Sequence, residues 1–529
     1  MTRLSRIFVF LVICSSCLYK SPNISADTHT AASPSFADVS SAIYVAQSGD
    51  TVIVPAGRAT WASQLVITKG IYLIGAGIGN TVITSNYPST ADRQNPSAWF
   101  VVYNPASPAL NELFCLSGFT FDCGSKCHGI FLYNINVNFV SKIRVDHNRI
   151  FNCLNSPFAI YGHVWGVADN NIFDGCYISV DYLDEHTWNN YVFNFGTANA
   201  FYFEDNTMIG HDDLCIIRSE MGAMWVSRHN TYDATQCTTG LWPWHDAHGN
   251  IPNAHHSVMG VEIYENTVTM PGGAESIYDV NIFQQRGGKA LVFNNTAYCH
   301  QAIAEVREEY LDSSNPPANN PISGQPQHVS DSYWWNNWKN GTDLIPITIN
   351  QSVDYGGNIG LVPQPNRDYW YQGATFNGTT GVGVGPLSSR PATCTVGVGY
   401  WATDTKILYK ATATNTWEAY YKPYPYPHPL TRILQPPLNF SGQKLANRSL
   451  SMVEYINKLT WQANPANPDV SGYRLYQVDE GTLTLLAEVN ANTFEYFVRN
   501  VQRDKEYRYG ILAANDKGWE SDLTYVTVR

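Results

Sequence analysis

The chain has 529 residues, of which 13% are aromatic and only 14% are charged, and it contains 39 glycines and 33 tyrosines. This length is enough for more than one hydrophobic core, and the composition is typical of an exported all-β protein with many turns. The formal net charge of −12 argues against nucleic acid or an anionic membrane surface as the main partner. It does not exclude an acidic polysaccharide bound in a local basic groove.

The first residues have the pattern of an export signal. Arg3 and Arg6 precede the apolar run 7–13, which is too short to anchor the chain permanently in a bilayer, and small residues lead to Ala26. We therefore expect a signal peptide at 1–26 and a secreted protein, with the periplasm and the cell surface as alternative locations. No integral membrane segment is expected.

The cysteines leave two questions open. Cys17 lies in the expected signal peptide, and the sequence does not decide whether it carries a lipid. Cys115, Cys123 and Cys127 are close enough for one disulfide among them in an exported protein. The alternative is that these cysteines are buried as small apolar side chains.

A short helix is predicted just after the signal peptide. Over residues 35–46 the apolar side chains fall on one helical face: Phe36, Val39, Ala42, Ile43 and Ala46. Short β-forming strings follow at 49–57 and 71–77. This opening resembles that of secreted right-handed parallel β-helix proteins, the pectate-lyase-like superfamily. The resemblance implies that the helix caps the first coil, whose open end would otherwise expose unpaired strand edges.

A pattern of a polar residue, an asparagine and two β-forming residues recurs from 144 to 299. The repeated asparagines are Asn148, Asn170, Asn206, Asn230, Asn266 and Asn295, separated by 22, 36, 24, 36 and 29 positions. A strand-like run before each copy and a period in the twenties with insertions predict a solenoid of stacked β-coils. Equivalent asparagines are expected to bond to one another along the stack, which is a structural role.

Two segments mark the end of the solenoid and the start of a second domain. Residues 421–429 alternate proline with other residues and must be extended, which predicts a strap along the outside of the coils. Beyond them, Trp461, the string 472–476 and Tyr507 lie in segments with alternating apolar residues and resemble a fibronectin type III sandwich.

The predicted fold is therefore all-β. A right-handed parallel β-helix with an N-terminal capping helix is expected over 27–430, and a fibronectin type III-like β-sandwich is expected over 431–529.

A pair of carboxylates in one insertion gives the first candidate site. Asp212 and Asp213 resemble the Asp-Asp element of polygalacturonases, and paired carboxylates are what glycoside hydrolysis requires. The spacing departs from that family, because Asn206 and Thr207 lie in the same coil as the pair and not one coil earlier. In a lyase, the same pair would be candidate ligands for calcium.

A second insertion, at 236–257, is rich in tryptophan and histidine, which suit sugar stacking and acid–base chemistry. It contains Trp242, Trp244, His245, Asp246 and His248. The strings around Arg228, Asp246, Glu262 and Arg286 together resemble a family of exported bacterial β-helix proteins, which implies a fold and a region of interest but no reaction. Glu204 and Arg228 hold equivalent positions in adjacent coils, so a structural ion pair is the alternative for Arg228.

These observations favour an exported polysaccharide-active enzyme, either a lyase or a glycoside hydrolase, with a polysaccharide or other glycan as partner. The predicted catalytic residues are Asp212, Asp213, Arg228, His248, Glu262 and Arg286. The predicted substrate-binding residues are Trp242, Trp244, His245, Asp246 and Lys289. No cofactor is certain; calcium is the one considered. The alternative is a non-catalytic glycan-binding or adhesion protein with a β-helix stalk and a C-terminal domain that contacts the cell surface.

Overall fold

The chain folds into stacked coils, and each complete coil contributes one strand to each of three sheets. A computed structural model describes residues 27–89, 92–175, 177–211, 217–237, 243–251, 254–309, 319–349, 362–432, 434–448, 453–465, 467, 470–479, 482–515, 520–521 and 523–529. The predicted signal peptide, including Cys17, lies outside these residues. Three predicted site residues, Asp212, Asp213 and Trp242, also lie outside them.

The three sheets run along the whole stack, and their described pairings are parallel except for that of β30 with β31. Sheet 1 contains β1 (Thr28–Thr30), β2 (Thr51–Ile53), β5 (Tyr72–Ile74), β8 (Phe114–Ser117), β11 (Val140–Asp146), β14 (Val164–Asp169), β17 (Phe201–Glu204), β20 (Met224–Arg228), β23 (Gly260–Tyr264), β26 (Lys289–Phe293), β29 (Ser332–Trp335) and β33 (Tyr369–Tyr371). Sheet 2 contains β3 (Gly57–Trp61), β6 (Thr81–Ser85), β9 (Thr120–Asp122), β12 (Arg149–Phe151), β15 (Ile172–Asp174), β18 (Thr207–Ile209), β21 (Thr231–Asp233), β24 (Thr267–Thr269), β27 (Thr296–Tyr298), β30 (Trp338–Lys339) and β31 (Asp343–Leu344). Sheet 3 contains β4 (Leu65–Ile67), β7 (Trp99–Tyr103), β10 (His128–Asn134), β13 (Phe158–Gly162), β16 (Ile178–Asp181), β19 (Ile217–Glu220), β22 (His245–Ala247), β25 (Asp279–Gln285), β28 (Gln301–Val306) and β32 (Ile347–Ile349). This is the predicted parallel β-helix.

The predicted capping helix is confirmed as α1 (Phe36–Val45). Its N-terminus is capped by the Ser35 hydroxyl, which accepts a hydrogen bond from the Asp38 N–H at 3.2 Å. Val39, Ala42 and Ile43 are buried in the core of the first coil. The helix thus closes the end of the stack, as the resemblance implied. A second short helix, α2 (Asp184–Asn190), lies between β16 and β17.

The asparagine ladder is also confirmed, with one correction in register. Its members are Asn148, Asn171, Asn206, Asn230, Asn266, Asn295 and Asn337, so the second copy uses Asn171 and not Asn170. Each side-chain amide donates to the side-chain oxygen of the next asparagine, at 2.9–3.2 Å. Asn170 instead occupies the preceding position, where the chain takes a left-handed φ of 55°.

Breaking this ladder should destabilise the fold. We expect Asn230→Ala to lower the free energy of unfolding by about 3 kcal/mol, because Asn206 donates twice to the Asn230 side-chain oxygen at 3.0 Å, and an unsatisfied buried polar group costs about 1–3 kcal/mol. Urea unfolding followed by circular dichroism measures the change. Exposed Asn189 is the matched control, and a loss in Asn189→Ala as large as that in Asn230→Ala would contradict the ladder's role.

A small sheet and a strap follow the last coil. The sheet contains β34 (Val382–Gly385), β35 (Gly399–Ala402), β36 (Ile407–Ala413) and β37 (Thr416–Tyr421). Residues 421–429, called the strap below, then return along the outside of sheet 1, as predicted. The Tyr421 hydroxyl donates to Glu262 Oε2 at 2.7 Å on β23, and the His428 N–H donates to Glu204 Oε1 at 2.8 Å on β17. The strap therefore runs from later coils back toward earlier ones.

The last strands form a two-sheet β-sandwich. One sheet contains β38 (Leu438–Arg448), β39 (Val453–Gln462) and β42 (Glu495–Val498). The other contains β40 (Gly472–Asp479), β41 (Thr482–Asn490), β43 (Tyr507–Ala514) and β44 (Thr524–Val528). Trp461, Tyr473 and Tyr509 are buried between the sheets in a separate core. Leu438 lines a cleft shared with Thr28 and Thr51, so the sandwich lies beside the first coil.

Candidate functional site

A group of charged side chains lies on the outer face of sheet 3, where in-register residues of successive strands form two columns. The first column is Tyr133, Tyr161, Asp181 and Glu220, continued by His248 and Arg286 just after their strands end. The second column is Ser179, Arg218, Asp246 and Gln284. Side chains alternate between the two faces of a strand, so the intervening Val180 and Ala247 point into the core. The strand register alone therefore brings acids, bases and aromatic rings together.

Asp181 is the carboxyl group with the most unusual environment on this face. It is 3% exposed, its Oδ2 accepts a hydrogen bond from the Ser179 hydroxyl at 2.7 Å, and its Oδ1 is buried without a hydrogen-bond partner. Burial, and then the negative charge of the neighbouring Glu220, raise the pKa of Asp181 to about 6. A carboxyl group in this state can hold a proton in weakly acidic solution.

Glu220 is the partner of Asp181 in the next coil. Its Oε2 accepts a hydrogen bond from Arg218 Nη2 at 3.0 Å and lies 3.1 Å from His255 Nε2. Arg218 also donates to the Tyr177 hydroxyl, so its guanidinium is held in a fixed orientation. These contacts fix the Glu220 carboxylate beside Asp181.

A second set of ion pairs continues the columns past Glu220. Arg286 donates from Nε to Asp246 Oδ1 at 3.0 Å and from Nη1 to Glu309 Oε1 at 2.5 Å. His248 lies among them, with its Nε2 2.7 Å from Arg218 Nε and its Nδ1 3.2 Å from Glu309 Oε1. Burial alone would raise the pKa of Asp246, but His248 and Arg286 hold it well below its ordinary value. These ion pairs hold a group of charged side chains in place next to the Asp181–Glu220 pair.

The structure separates the predicted catalytic residues into two groups. His248 and Arg286 meet on the outer face of sheet 3, where they contact Asp246, which was predicted to bind substrate. Arg228 and Glu262 instead lie on sheet 1 beneath the strap. The structure therefore does not bring Arg228 and Glu262 into one groove with His248 and Arg286.

Arg228 and Glu262 make contacts that explain their burial without chemistry. Arg228 is 0% exposed, donates from Nε to Glu204 Oε2 at 2.8 Å, and donates to the strap carbonyls of Tyr424 and Pro425 at 2.7 and 2.9 Å. This is the structural ion pair considered as the alternative. Glu262 accepts hydrogen bonds from the Gly196 N–H and the Tyr421 hydroxyl, both at 2.7 Å, and burial raises its pKa.

Three predicted substrate-binding residues are also placed away from this face. Trp244 and His245 lie inside the coil stack, where His245 Nε2 is 2.6 Å from the Tyr232 hydroxyl and burial lowers the His245 pKa to about 4. Lys289 lies on sheet 1, with its ammonium group 5.8 Å from the centre of the Phe195 ring. The structure therefore does not bring these three residues to the outer face of sheet 3.

Glu220, His248 and His255 place one donor atom each within 4.8 Å of one another, which is a spacing compatible with a shared metal ion. Two imidazoles suit a transition metal better than calcium. The guanidinium of Arg218 contacts both Glu220 and His248, and this positive charge opposes a cation there. The residues predicted to hold calcium, Asp212 and Asp213, lie outside the described part of the chain.

Several charged residues of this face were not among the predicted site residues: Asp181, Arg218, Glu220, His255 and Glu309. Three of these residues show the same pattern in the sequence, a pair of polar residues two positions apart at the end of a strand-like run. The pairs are Arg218 with Glu220 and Ser179 with Asp181. Such spacing puts both side chains on one face of a strand. This pattern marks both pairs as candidates, but it does not show that they lie next to each other in adjacent coils.

Comparisons with known proteins add little to this picture. No protein-family model matches the chain, and no curated protein matches it. Among solved structures, the catalytic unit of a thermostable GH87 α-1,3-glucanase from Streptomyces thermodiastaticus strain HF3-3 is 15% identical, covers 65% of this chain and 73% of its own, and has a TM-score of 0.23. A structure entitled "Structure of FN3tt mut" is 20% identical, covers 18% of this chain and 97% of its own, and has a TM-score of 0.15.

Proposed function

We propose that the chain is an exported polysaccharide-active enzyme that works on the outer face of sheet 3. One observation carries the proposal: Asp181, with an unbonded oxygen and a pKa raised to about 6, lies in register with Glu220 on the adjacent strand. Two carboxyl groups with different environments are the arrangement that glycosidic bond cleavage requires.

In the reaction that this geometry supports best, a glycosidic bond is hydrolysed. Asp181 gives its proton to the leaving glycosidic oxygen, while the Glu220 carboxylate acts on the anomeric carbon directly or through a water molecule. Arg218 and His255 hold the Glu220 carboxylate in position. No step needs a metal ion, and Asp246, Arg286 and Glu309 act as positioning residues.

The aromatic part of the first column supplies a binding surface for the sugar chain. The rings of Tyr133 and Tyr161 are stacked with centres 5.9 Å apart, and Tyr161 is in register with Asp181 on the next strand. Both rings are partly exposed, and aromatic faces bind the apolar faces of sugars. A glycan lying along this column would meet Tyr133 and Tyr161 before it reaches the carboxyl pair.

Removing one of these rings should weaken substrate binding more than chemistry. We expect Tyr161→Ala to raise KM about 2–10-fold with kcat nearly unchanged, because an aromatic contact contributes about 0.5–1.5 kcal/mol. Steady-state kinetics on the cleaved polysaccharide measures both constants. Tyr298→Ala is the control, since Tyr298 is 38% exposed on sheet 2; an equal rise in KM there would contradict a binding role specific to Tyr161.

The test of the main proposal is depolymerisation of a broad panel of neutral and acidic polysaccharides, with and without calcium. New reducing ends without an unsaturated product indicate a hydrolase, whereas the ultraviolet absorbance of an unsaturated uronate indicates a lyase. Activity that is lost in Asp181→Asn and kept in Asp233→Asn, a variant on sheet 2, supports the site. No product from any substrate would overturn the enzymatic proposal.

Glycan binding without cleavage is the second candidate, and one observation favours it. The side chains of Asp246, His248, Arg286 and Glu309 are all tied into ion pairs and are at most 9% exposed, as structural side chains usually are. Binding on a glycan array that survives Asp181→Asn, with no product formed, would favour this function. Both candidate functions include a glycan partner, an exported location and the same type of C-terminal domain.

The remaining assignments follow the sequence. We propose a secreted protein with a signal peptide at 1–26, a right-handed β-helix at 27–430 and a fibronectin type III-like domain at 431–529 that contributes contact with other surfaces. Among the described residues, no helix is long and apolar enough to cross a membrane. Size measurement of the exported product tests the predicted cleavage after Ala26.

A further inference from the structure

Three cysteines meet at the turn that follows sheet 2 in two neighbouring coils. Cys123 comes directly after β9, and Cys153 comes two residues after β12, which pairs with β9. Their Sγ atoms are 3.1 Å apart. The Cys127 thiol is also hydrogen-bonded to the Cys123 thiol, and its Sγ is 3.2 Å from the Ser85 hydroxyl and 3.7 Å from the Cys123 carbonyl oxygen. The structure therefore places Cys123 against a cysteine of the next coil.

Cys115, the other cysteine considered for a disulfide, has a different environment. It lies on sheet 1, and its Sγ is 3.4 Å from Asp146 Oδ1. The partner of Cys123 suggested by the strand pairing is thus Cys153, which was not among the cysteines expected to pair.

We propose that Cys123 and Cys153 form a disulfide that joins two adjacent coils when the folded chain meets a low-molecular-weight disulfide such as oxidised glutathione. Parallel strands lie about 4.8 Å apart, within the backbone separation that a disulfide spans. The bond closes a loop across 30 positions of sequence and so restricts the unfolded chain. An exported protein meets the oxidising conditions in which such bonds persist.

The Cys123–Cys153 disulfide forms by two successive thiol–disulfide exchanges with oxidised glutathione. Cys153 is half-buried, so its thiolate is the one that can attack the oxidant, which forms a mixed disulfide and releases one glutathione thiolate. The Cys123 thiolate then attacks the Cys153 sulfur and releases the second glutathione. The protein loses two protons and two electrons, and the oxidant is reduced to two thiols. Burial raises the pKa of Cys123, so the closing step should be faster in mildly alkaline buffer.

The experiment oxidises the purified, folded full chain with oxidised glutathione, blocks the remaining thiols with an alkylating agent and maps the cross-links after tryptic digestion. Trypsin cuts after Lys126 and Arg149, so Cys123, Cys127 and Cys153 leave on separate peptides. We expect a cross-link between Cys123 and Cys153, assigned by fragmentation. It should disappear in Cys153→Ser and in Cys123→Ser but remain in Cys127→Ser and in the distant control Cys299→Ser.

A thermal unfolding scan gives a second readout. Oxidation should raise the unfolding temperature by several degrees in the wild-type chain and in Cys127→Ser, and leave it unchanged in Cys153→Ser. A cross-link between Cys123 and Cys127, or no cross-link after prolonged oxidation of the folded chain, would overturn the proposal. Neither result depends on whether the chain cleaves a polysaccharide.

Discussion

Replacing Asp181 with asparagine should lower the rate of polysaccharide cleavage by about 10²–10⁴-fold, the usual contribution of a general acid. The asparagine side chain has nearly the same shape, can still bond to Ser179, and cannot donate a proton to a glycosidic oxygen. Initial rates on the best substrate of the panel measure the loss. Asp233→Asn on sheet 2 is the matched control and should retain the wild-type rate.

The same substitution should increase stability above pH 6. The pKa of Asp181 is about 6 in the folded chain, against about 3.9 for an ordinary aspartate, so the folded chain holds this proton more tightly. The stabilisation of the protonated carboxyl is complete below about pH 4 and is lost as the pH rises through 6. The neutral amide of the Asp181→Asn variant avoids that loss, so the variant should be more stable than wild type by on the order of 2–3 kcal/mol at neutral pH and equal to it at low pH.

Together, the two measurements separate a catalytic from a structural role. A structural Asp181 would lose activity only by losing stability, whereas the proposed acid loses activity while the protein becomes more stable. Unfolding transitions measured at several pH values, with the rate, distinguish the two. A variant that is less stable at every pH would contradict the proposed role.

Replacing Arg228 with methionine should destabilise the protein by about 3–5 kcal/mol, the usual cost of leaving one buried charge without its partner. The substitution removes the Nη2–Oε2 contact of 2.6 Å to Glu204 and both hydrogen bonds to the strap. Glu204 is 0% exposed, so water cannot replace the lost partner. Chemical unfolding measures the free energy, and limited proteolysis reports whether the strap has detached.

The control for this prediction is a partly exposed pair of the same chemistry. Arg149 and Asp174 are 2.7 Å apart, but the Arg149 side chain is 40% exposed, so Arg149→Met should cost less than about 1 kcal/mol. Adding Glu204→Gln to Arg228→Met should recover part of the lost stability. Loss of cleavage activity in Arg228→Met with an unchanged unfolding transition would instead support the catalytic role expected from the sequence.

The fold could be predicted because its determinants are local. The asparagine before each sheet 2 strand repeats in the sequence and sets the register at one corner of the coil. Asn170 and Asn171 show the limit of that signal. Both the ladder and the preceding left-handed position favour asparagine, so two adjacent asparagines cannot be assigned without the register of the neighbouring coils.

The site was predicted only in part because it lies on sheet 3, far along each coil from the asparagine marker. The number of residues between the ladder and the outward column differs in each coil, so sequence position does not reveal that Asp181, Glu220 and His248 are neighbours. Burial is a second reason. Arg228 and Glu262 have the residue types of a catalytic site, but only the position of the strap shows that they are covered.

The strap runs back toward the early coils, and the sandwich follows it in the chain. The position of the sandwich determines how the molecule would respond to tension. The sandwich lies beside Thr28 of the first coil, so the two ends of the described chain are close together. A load applied between an anchor at the N-terminal end and a partner held by the sandwich would pass through that contact and bypass the coil stack. The coil stack would therefore carry little of that load.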